Sequence, residues 1–196
     1  MNTETPYQLS AIVLLGTAMS ISIFFRRRAD HLGEKISTDG EGVLILNLRR
    51  IFGLALWLSA LAYLLSPHWM AWASLPLSPR VRWSGAMVMA VCVPLIYWVF
   101  SSLGKNITST VAIRKDHALV MHGPYRWVRH PLYTVGFLAF VGFSLLAANW
   151  FIFAMLLLGY PVLILRTFTE EANLVARFGD EYRDYMRRTG RFLPRW

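Results

Sequence analysis

Between His117 and Gly136 the sequence reads HALVMHGPYRWVRHPLYTVG, the densest gathering of groups in the chain that can do chemistry. Tyr125, Arg126, Trp127, Arg129 and His130 lie between Pro124 and Pro131. Each proline ends or kinks a helix, because it lacks an N–H and restricts the residue before it. An uncharged run follows at once. A cluster of cations, imidazole and aromatic rings at the mouth of an apolar helix is costly unless it is used. A basic membrane anchor would account for the arginines, but it needs neither the prolines nor His130. A second polar block comes later, with Glu170-Glu171, Leu174, Phe178-Gly179, Glu181-Tyr182, Tyr185, Arg191 and Pro194. The histidines have no cysteine pair and no zinc-site spacing, so no metal is expected.

The elements that must position these groups are apolar. Of the 196 residues 56% are hydrophobic, 16% are charged and eight are tryptophans, which points to a membrane protein of one domain, residues 1–196. The net charge of +9 would suggest nucleic acid in a soluble chain. Here the cations fall where a membrane topology wants them, and no nucleic-acid partner is expected. Uncharged runs predict spans at about 6–25, 51–73, 83–104, 131–147 and 149–165. Pro94 marks a kink in the third. The last two derive from one uncharged run, with Ala147 to Trp150 as the turn of a tight hairpin. Each arm has about 26 Å of helix, so the hairpin either crosses or stops just short of crossing. From Arg166 onward an amphipathic cytoplasmic helix is predicted, with Gly179 as its weak point. The fold class is thus all-α: five transmembrane helices, the last two a hairpin, plus a C-terminal amphipathic helix. With the C-terminus cytoplasmic, 18 of the 20 Lys and Arg lie inside and only Arg80 and Arg82 face out. Both polar blocks then belong to the cytoplasm, in a catalytic region at 105–196. The N-terminus makes a poor signal peptide, and the sequon Asn106-Ile107-Thr108 would be cytoplasmic, a chance match.

The two blocks resemble the isoprenylcysteine carboxyl methyltransferase family and the related phospholipid methyltransferase-like membrane enzymes. The first block matches as His117, Leu119 and Val120, Gly123-Pro124-Tyr125, and Arg129-His130-Pro131-Leu132-Tyr133. The second matches as Glu170-Glu171 through Tyr185, Arg191 and Pro194. The match covers roughly the last ninety residues, in order and at family spacing. It implies S-adenosylmethionine as cofactor, with S-adenosylhomocysteine as product. It also implies cofactor contacts from His117, Ala118, Leu119, Val120, Tyr125, His130, Pro131, Leu132, Tyr133 and Glu171, and catalytic roles for Arg129 and Glu171. The acceptor is expected to be lipophilic, reached from the bilayer, with Arg166 at the acceptor. Carboxyl O-methylation of an isoprenylcysteine-like substrate leads. A phospholipid amine, a small thiol or a phenolic lipid is the alternative. The expected setting is a bacterial inner membrane.

Residue types agree with this chemistry. A methyl sulfonium and an anionic acceptor lose charge together in an in-line displacement, so alignment and exclusion of water supply the acceleration. A carboxylate acceptor needs no base, whereas an amine or hydroxyl does. Tyrosine faces suit the sulfonium, and Glu171 suits ribose hydroxyls or an amino group. Glu170, about 100° away on a helix, should matter less. Taken singly, Tyr125, Trp127 and Tyr133 read as an interfacial belt, the glutamates as a helix start, and Tyr182 and Tyr185 as packing. Two positions depart from the family pattern: Thr167 stands where the prenylcysteine enzymes have an Arg, and Val135 where they have a Gly. Both leave the acceptor open. Two rivals remain: an NADPH enzyme of the sterol-reductase type, and a membrane adaptor without catalysis.

Overall fold

The computed structural model describes residues 3–32, 42–104, 107 and 119–195. Helix α1 is Thr5–Leu32, α2 Val43–Leu65, α3 Pro79–Leu103, α4 Pro131–Leu146, α5 Trp150–Phe178 and α6 Asp180–Arg188. Short 3₁₀ turns at Pro67–Ala73 and Gly123–Arg126 complete the order. The described residues hold no β-strand, only two isolated bridges. The fold is all-α and of the integral-membrane kind. Four helices (α1, α2, α3 and α5) are long and apolar enough to cross a bilayer, while α4 has only 16 residues.

Helix α4 is the hub, packed against α3 and α5, with α1 leaning on α3 and α2 on α5. Glycines let α3 and α4 meet backbone to backbone. A Cβ on Gly142 would lie 2.7 Å from the Gly85 carbonyl oxygen, and one on Gly85 2.7 Å from the Leu146 nitrogen. Without a hydrophobic drive between helices in lipid, such close approach is what membrane helices use to associate. Two buried clusters result. One joins Tyr7, Ala11 and Leu15 of α1 to Ala60 and Tyr63 of α2 and Phe143 and Leu146 of α4. The other joins Phe25 and Ala29 of α1 to Cys92, Ile96 and Phe100 of α3 and Val135 and Ala139 of α4. The second lies at the end of the bundle where the basic runs and both polar blocks gather, called the basic end below.

At the opposite end the chain is pinned by polar contacts. Arg82 is bidentate to Glu4, at 2.6 and 2.7 Å, and its Nε donates to the Leu146 carbonyl at 2.9 Å. Its guanidinium also lies 3.6 Å from the Tyr7 ring centre. The hairpin turn is tight, as its sequence implies. Asn149 caps α5 by accepting from Ile152 N at 3.1 Å and donates to the Met70 carbonyl at 3.0 Å.

Four helices depart from the bounds of the uncharged runs, α1 by running on through Arg26-Arg27-Arg28 to Leu32. Helix α2 starts at Val43, so Arg49 and Arg50 lie inside it, and it ends at Leu65 rather than near residue 73. Ser66, extended ahead of Pro67, stops it. Arginine is a good helix former, so charge ends the apolar run without ending the helix. Likewise α3 begins at Pro79, four residues before its apolar run, because proline suits the first helical turn. Helix α5 does not stop near residue 165. It continues unbroken to Phe178, and only Gly179, at φ +58°, turns the chain into the nine-residue α6. The amphipathic segment is therefore half an extension of α5 and half a separate helix.

Candidate active site

Pro131 opens α4 and leaves His130 in a non-helical conformation as its N-cap. The loop before it needs partners for its backbone groups, and the C-terminal tail supplies them. Arg129 N donates to the Gly190 carbonyl at 2.9 Å, His130 N to that of Arg191 at 3.0 Å, and Gly190 N to that of Trp127 at 3.1 Å. Thr134 Oγ1 adds a bond to the Phe192 carbonyl at 2.8 Å. The two polar blocks, some sixty residues apart in sequence, are thus stitched side by side. The buried Tyr185 hydroxyl fastens them again, donating to the Tyr125 carbonyl at 2.6 Å. On the other flank Gly123, at φ +60°, lets the loop touch Ser102 and Trp98 of α3.

Glu171 sits at the centre, 3% exposed. Its Oε1 accepts from Arg129 Nε at 2.8 Å, from Arg191 Nε at 3.2 Å, and meets His130 Nε2 at 3.2 Å. Its Oε2 accepts from Arg191 Nη2 at 2.5 Å. Arg129 spends its other donors on the C-terminal end of α6: the carbonyls of Met186, at 3.0 Å, and Thr189. Glu171 lies beyond Leu165, where the apolar stretch of α5 ends. Burial alone would raise its pKa. Hydrogen bonds from His130, Arg191 and Arg129 outweigh that and lower it to about 2. It is an anion at any ordinary pH, facing two guanidiniums.

Glu170 turns to a different set of neighbours. It accepts from the Tyr133 hydroxyl at 3.2 Å and lies within electrostatic reach of Tyr125 and Tyr182. The Tyr125 pKa is pushed well up, first by burial and then by Glu170. Burial likewise pushes Tyr185 up to about 12. The His130 and Tyr133 rings lie 5.6 Å apart, and Phe192 stands 5.9 Å from His130. A carboxylate flanked by tyrosine rings is an environment in which a cation gains both Coulomb attraction and ring-face contact.

Residues 81–181, just over half the chain, match the family model for phospholipid methyltransferases. The chain belongs to the phospholipid methyltransferase family. Its kinship with the isoprenylcysteine enzymes is seen in the relatives. It is 31% identical over 121 residues to a protein-S-isoprenylcysteine O-methyltransferase of Tribolium castaneum, covering 59% of this chain and 43% of that one. It is 41% identical over 73 residues to a methanethiol S-methyltransferase of Mycobacterium tuberculosis, covering 37% and 29%. The aligned regions span less than half the length of these two curated relatives. The solved structure of a eukaryotic intramembrane Ras methyltransferase, an isoprenylcysteine carboxyl methyltransferase, superposes with a TM-score of 0.56 over 94% of this chain and 67% of that one. At 22% identity that likeness shows the fold.

Within this phospholipid methyltransferase fold, the structure brings some of the residues singled out from the sequence together and leaves others apart. Arg129, His130 and Glu171 form one network, and Tyr125 and Tyr133 lie beside it with Glu170. Pro131 is buried, and Leu132 packs against the basic-end core. Leu119 and Val120 are half-buried in the loop ahead of Gly123, while His117 and Ala118 lie outside the described residues. Arg166, 8% exposed, stands in α5 within electrostatic reach of Tyr133, inside the helix rather than at its end. Thr167 is fully buried and donates to the Ile164 carbonyl, turned into its own helix. Arg191 received no role from the sequence, although it stands in the second block. The two hydrogen bonds it donates to Glu171, and its stacking 4.0 Å from the Phe168 ring centre, make it part of the site. The family spacing was the available signal.

Proposed function

We propose that this protein is an S-adenosylmethionine-dependent methyltransferase that modifies a lipophilic acceptor at the cytoplasmic face of a membrane. The observation that carries the reading is the pairing of two unlike carboxylates on consecutive residues. Glu171 is saturated by cations and holds the two blocks together. Glu170 is left facing tyrosines, where a sulfonium fits. S-adenosylmethionine supplies the methyl group as an electrophilic carbon on that sulfonium.

In this reading the loop from His117 to Tyr125 and the α4 mouth at His130–Tyr133 enclose the cofactor. Arg129 and Glu171 act on the chemistry by keeping that enclosure closed and dry. Tyr133 and Glu170 orient the cationic centre. Arg166, within electrostatic reach of Tyr133, faces the acceptor. The leading acceptor is the carboxylate of an isoprenylcysteine-like molecule. Its oxygen bonds to the methyl carbon as the carbon–sulfur bond breaks, the electron pair stays on sulfur, and no proton moves. A small thiol is the second reading, supported by the methanethiol S-methyltransferase relative and by Thr167 in place of the family's Arg. A thiol must lose its proton, and Glu170 is the acid–base group nearest Tyr133.

The test is to incubate membranes containing the protein with methyl-labelled S-adenosylmethionine and identify the product. Label released as methanol by base indicates an ester, and base-stable label in a thioether indicates the thiol reading. No labelled product, with unfolding shifted by NADPH but not by S-adenosylmethionine, would replace the proposal with a reductase.

A further inference from the structure

The end of the bundle opposite the basic end carries little charge. Among the described residues Glu4 is its one carboxylate, and Arg82 takes both oxygens of that group. Arg80, two residues earlier, is exposed and has no hydrogen-bond or ionic partner among the described residues. Arg80 and Arg82 against Glu4 leave one positive charge unbalanced. Trp83 stands one turn further along α3 on the same face, 42% exposed, with its ring 5.3 Å from that of Tyr7 in α1. Its ring N–H likewise has no acceptor among the described residues. A cation and an indole N–H thus stand open a turn apart, the pair of groups that meets lipid headgroups at a membrane interface.

Beneath Trp83 runs a groove of about 520 Å³ between α1 and α3. Leu9, Val13 and Leu14 form one wall, and Ala86, Met87 and Ala90 the other. Both helices start at this end, so the walls run side by side from Trp83 to Ala90, about 10 Å along α3. Ser10 also lines the groove, but its hydroxyl is spent on the Pro6 carbonyl at 2.9 Å. The walls therefore offer aliphatic surface, which gains dispersion contacts when an aliphatic chain lies between them. A helix of a second copy suits the site less well. It is 10–12 Å across with its side chains, and it brings no anion to Arg80, because its own Glu4 is held by its own Arg82. A zwitterionic lipid brings a cation of its own. An anionic lipid brings the missing charge and the chain together.

We propose that this groove binds an anionic glycerophospholipid of the phosphatidylglycerol type. Its phosphate sits on Arg80, an ester carbonyl accepts from the Trp83 ring N–H, and one acyl chain lies between α1 and α3. A guanidinium fork suits the phosphate, and the chain secures α1, which leans chiefly on α3. The test uses the full-length protein in phosphatidylcholine nanodiscs with a trace of phosphatidylglycerol carrying a diazirine in one acyl chain. After photolysis the labelled peptides are mapped by mass spectrometry. Label should concentrate on residues 9–14 and 83–90. Added phosphatidylglycerol should displace it about fivefold more effectively than added phosphatidylcholine. R80Q should lower label at both segments about fivefold and remove that preference, while label on residues 157–165 of α5 stays unchanged. R80K should keep most of it. A90F, which fills the groove from an exposed position, should lower label with Arg80 intact, as surface charge alone would not. Thermal unfolding in plain phosphatidylcholine checks that each variant is folded. Equal displacement by the two lipids, label that survives R80Q, or label spread evenly over the exposed helix faces overturns the proposal. Cross-links that join two copies through residues 9–14 would assign the groove to a second chain and overturn it as well.

Discussion

Replacing Glu171 by glutamine keeps the shape of the side chain and deletes its charge. The guanidinium of Arg129, 9% exposed, then keeps only carbonyls and a hydroxyl as partners, while Arg191, 25% exposed, loses both its bonds to a carboxylate. Breaking a buried ion pair from one side typically costs about 3–5 kcal/mol, since the stranded charge stays behind. Arg191 is partly solvated and already stacked on Phe168, so it can turn toward water. The lower limit, about 3 kcal/mol, is therefore the better figure. For a chain of this size that corresponds to a fall of roughly 6–12 °C in the unfolding midpoint. The network also holds the loop of residues 127–130 to the tail, and S-adenosylmethionine affinity should fall roughly a hundredfold if the cofactor site requires them stitched. Calorimetry with S-adenosylmethionine in detergent, together with thermal unfolding, reads both. Glu171→Asp keeps the charge one methylene short and should fall between. Glu181→Gln, exposed on α6, serves as the control. An E171Q protein that unfolds within a degree or two of wild type and binds the cofactor equally well would show that the network is a bystander.

The remaining expectations are more local. Tyr185→Phe should cost about 1–2 kcal/mol in unfolding free energy, because the buried Tyr125 carbonyl loses its donor. Gly142→Leu should cost more than Gly16→Leu in a thermal melt, since a side chain at Gly142 meets the α3 backbone whereas Gly16 faces open space. Glu4 has its pKa lowered, chiefly by its hydrogen bond from Arg82. Its contribution should be complete above the ordinary value of 4.5 and lost as pH falls through the lowered folded value, so Glu4→Gln should flatten the acid limb of a stability–pH curve. Reporters fused after Trp196 and inserted near Leu77 should report opposite sides of the membrane, and a common side would end the five-span topology.

The membrane character and the hairpin turn were legible because hydropathy and an Ala-Ala-Asn turn are local signals. Helix ends were less so. The uncharged run stopped at Arg166, yet nothing between Leu165 and Phe178 breaks a helix, so α5 runs on. Family spacing found Arg129, His130 and Glu171, which the structure does bring together. It did not say that Arg191 would complete the carboxylate's shell, because that pairing depends on the tail lying beside residues 127–130. The expectation that Glu170 points elsewhere than Glu171 follows from helix geometry. That its direction is toward Tyr133 depends on how α4 and α5 are rotated against each other, which no local pattern encodes.

The shortest helix explains why chemistry gathers where it does. Sixteen residues give α4 a length of roughly 24 Å, less than the hydrocarbon thickness of about 30 Å. Both of its ends must then be served by polar groups that the protein brings to them, because a helix end left bare in an apolar medium is costly. At the C-terminal end Arg82 donates to the Leu146 carbonyl and sets a positive charge against the negative pole of the helix. At the N-terminal end His130 caps α4 while bonded to Glu171, which sets a negative charge near the positive pole. Each of these charges needs its own counter-ion, Glu4 for Arg82, and Arg129 with Arg191 for Glu171. The two ionic clusters are thus consequences of one short helix. The basic-end cluster differs in setting two guanidiniums on one carboxylate, beside the tyrosine that Glu170 holds. That second guanidinium, absent from the Glu4–Arg82 pair, ties the loop ahead of α4 to the C-terminal tail, so the network at one end of α4 joins both polar blocks while the other end is a simple lock.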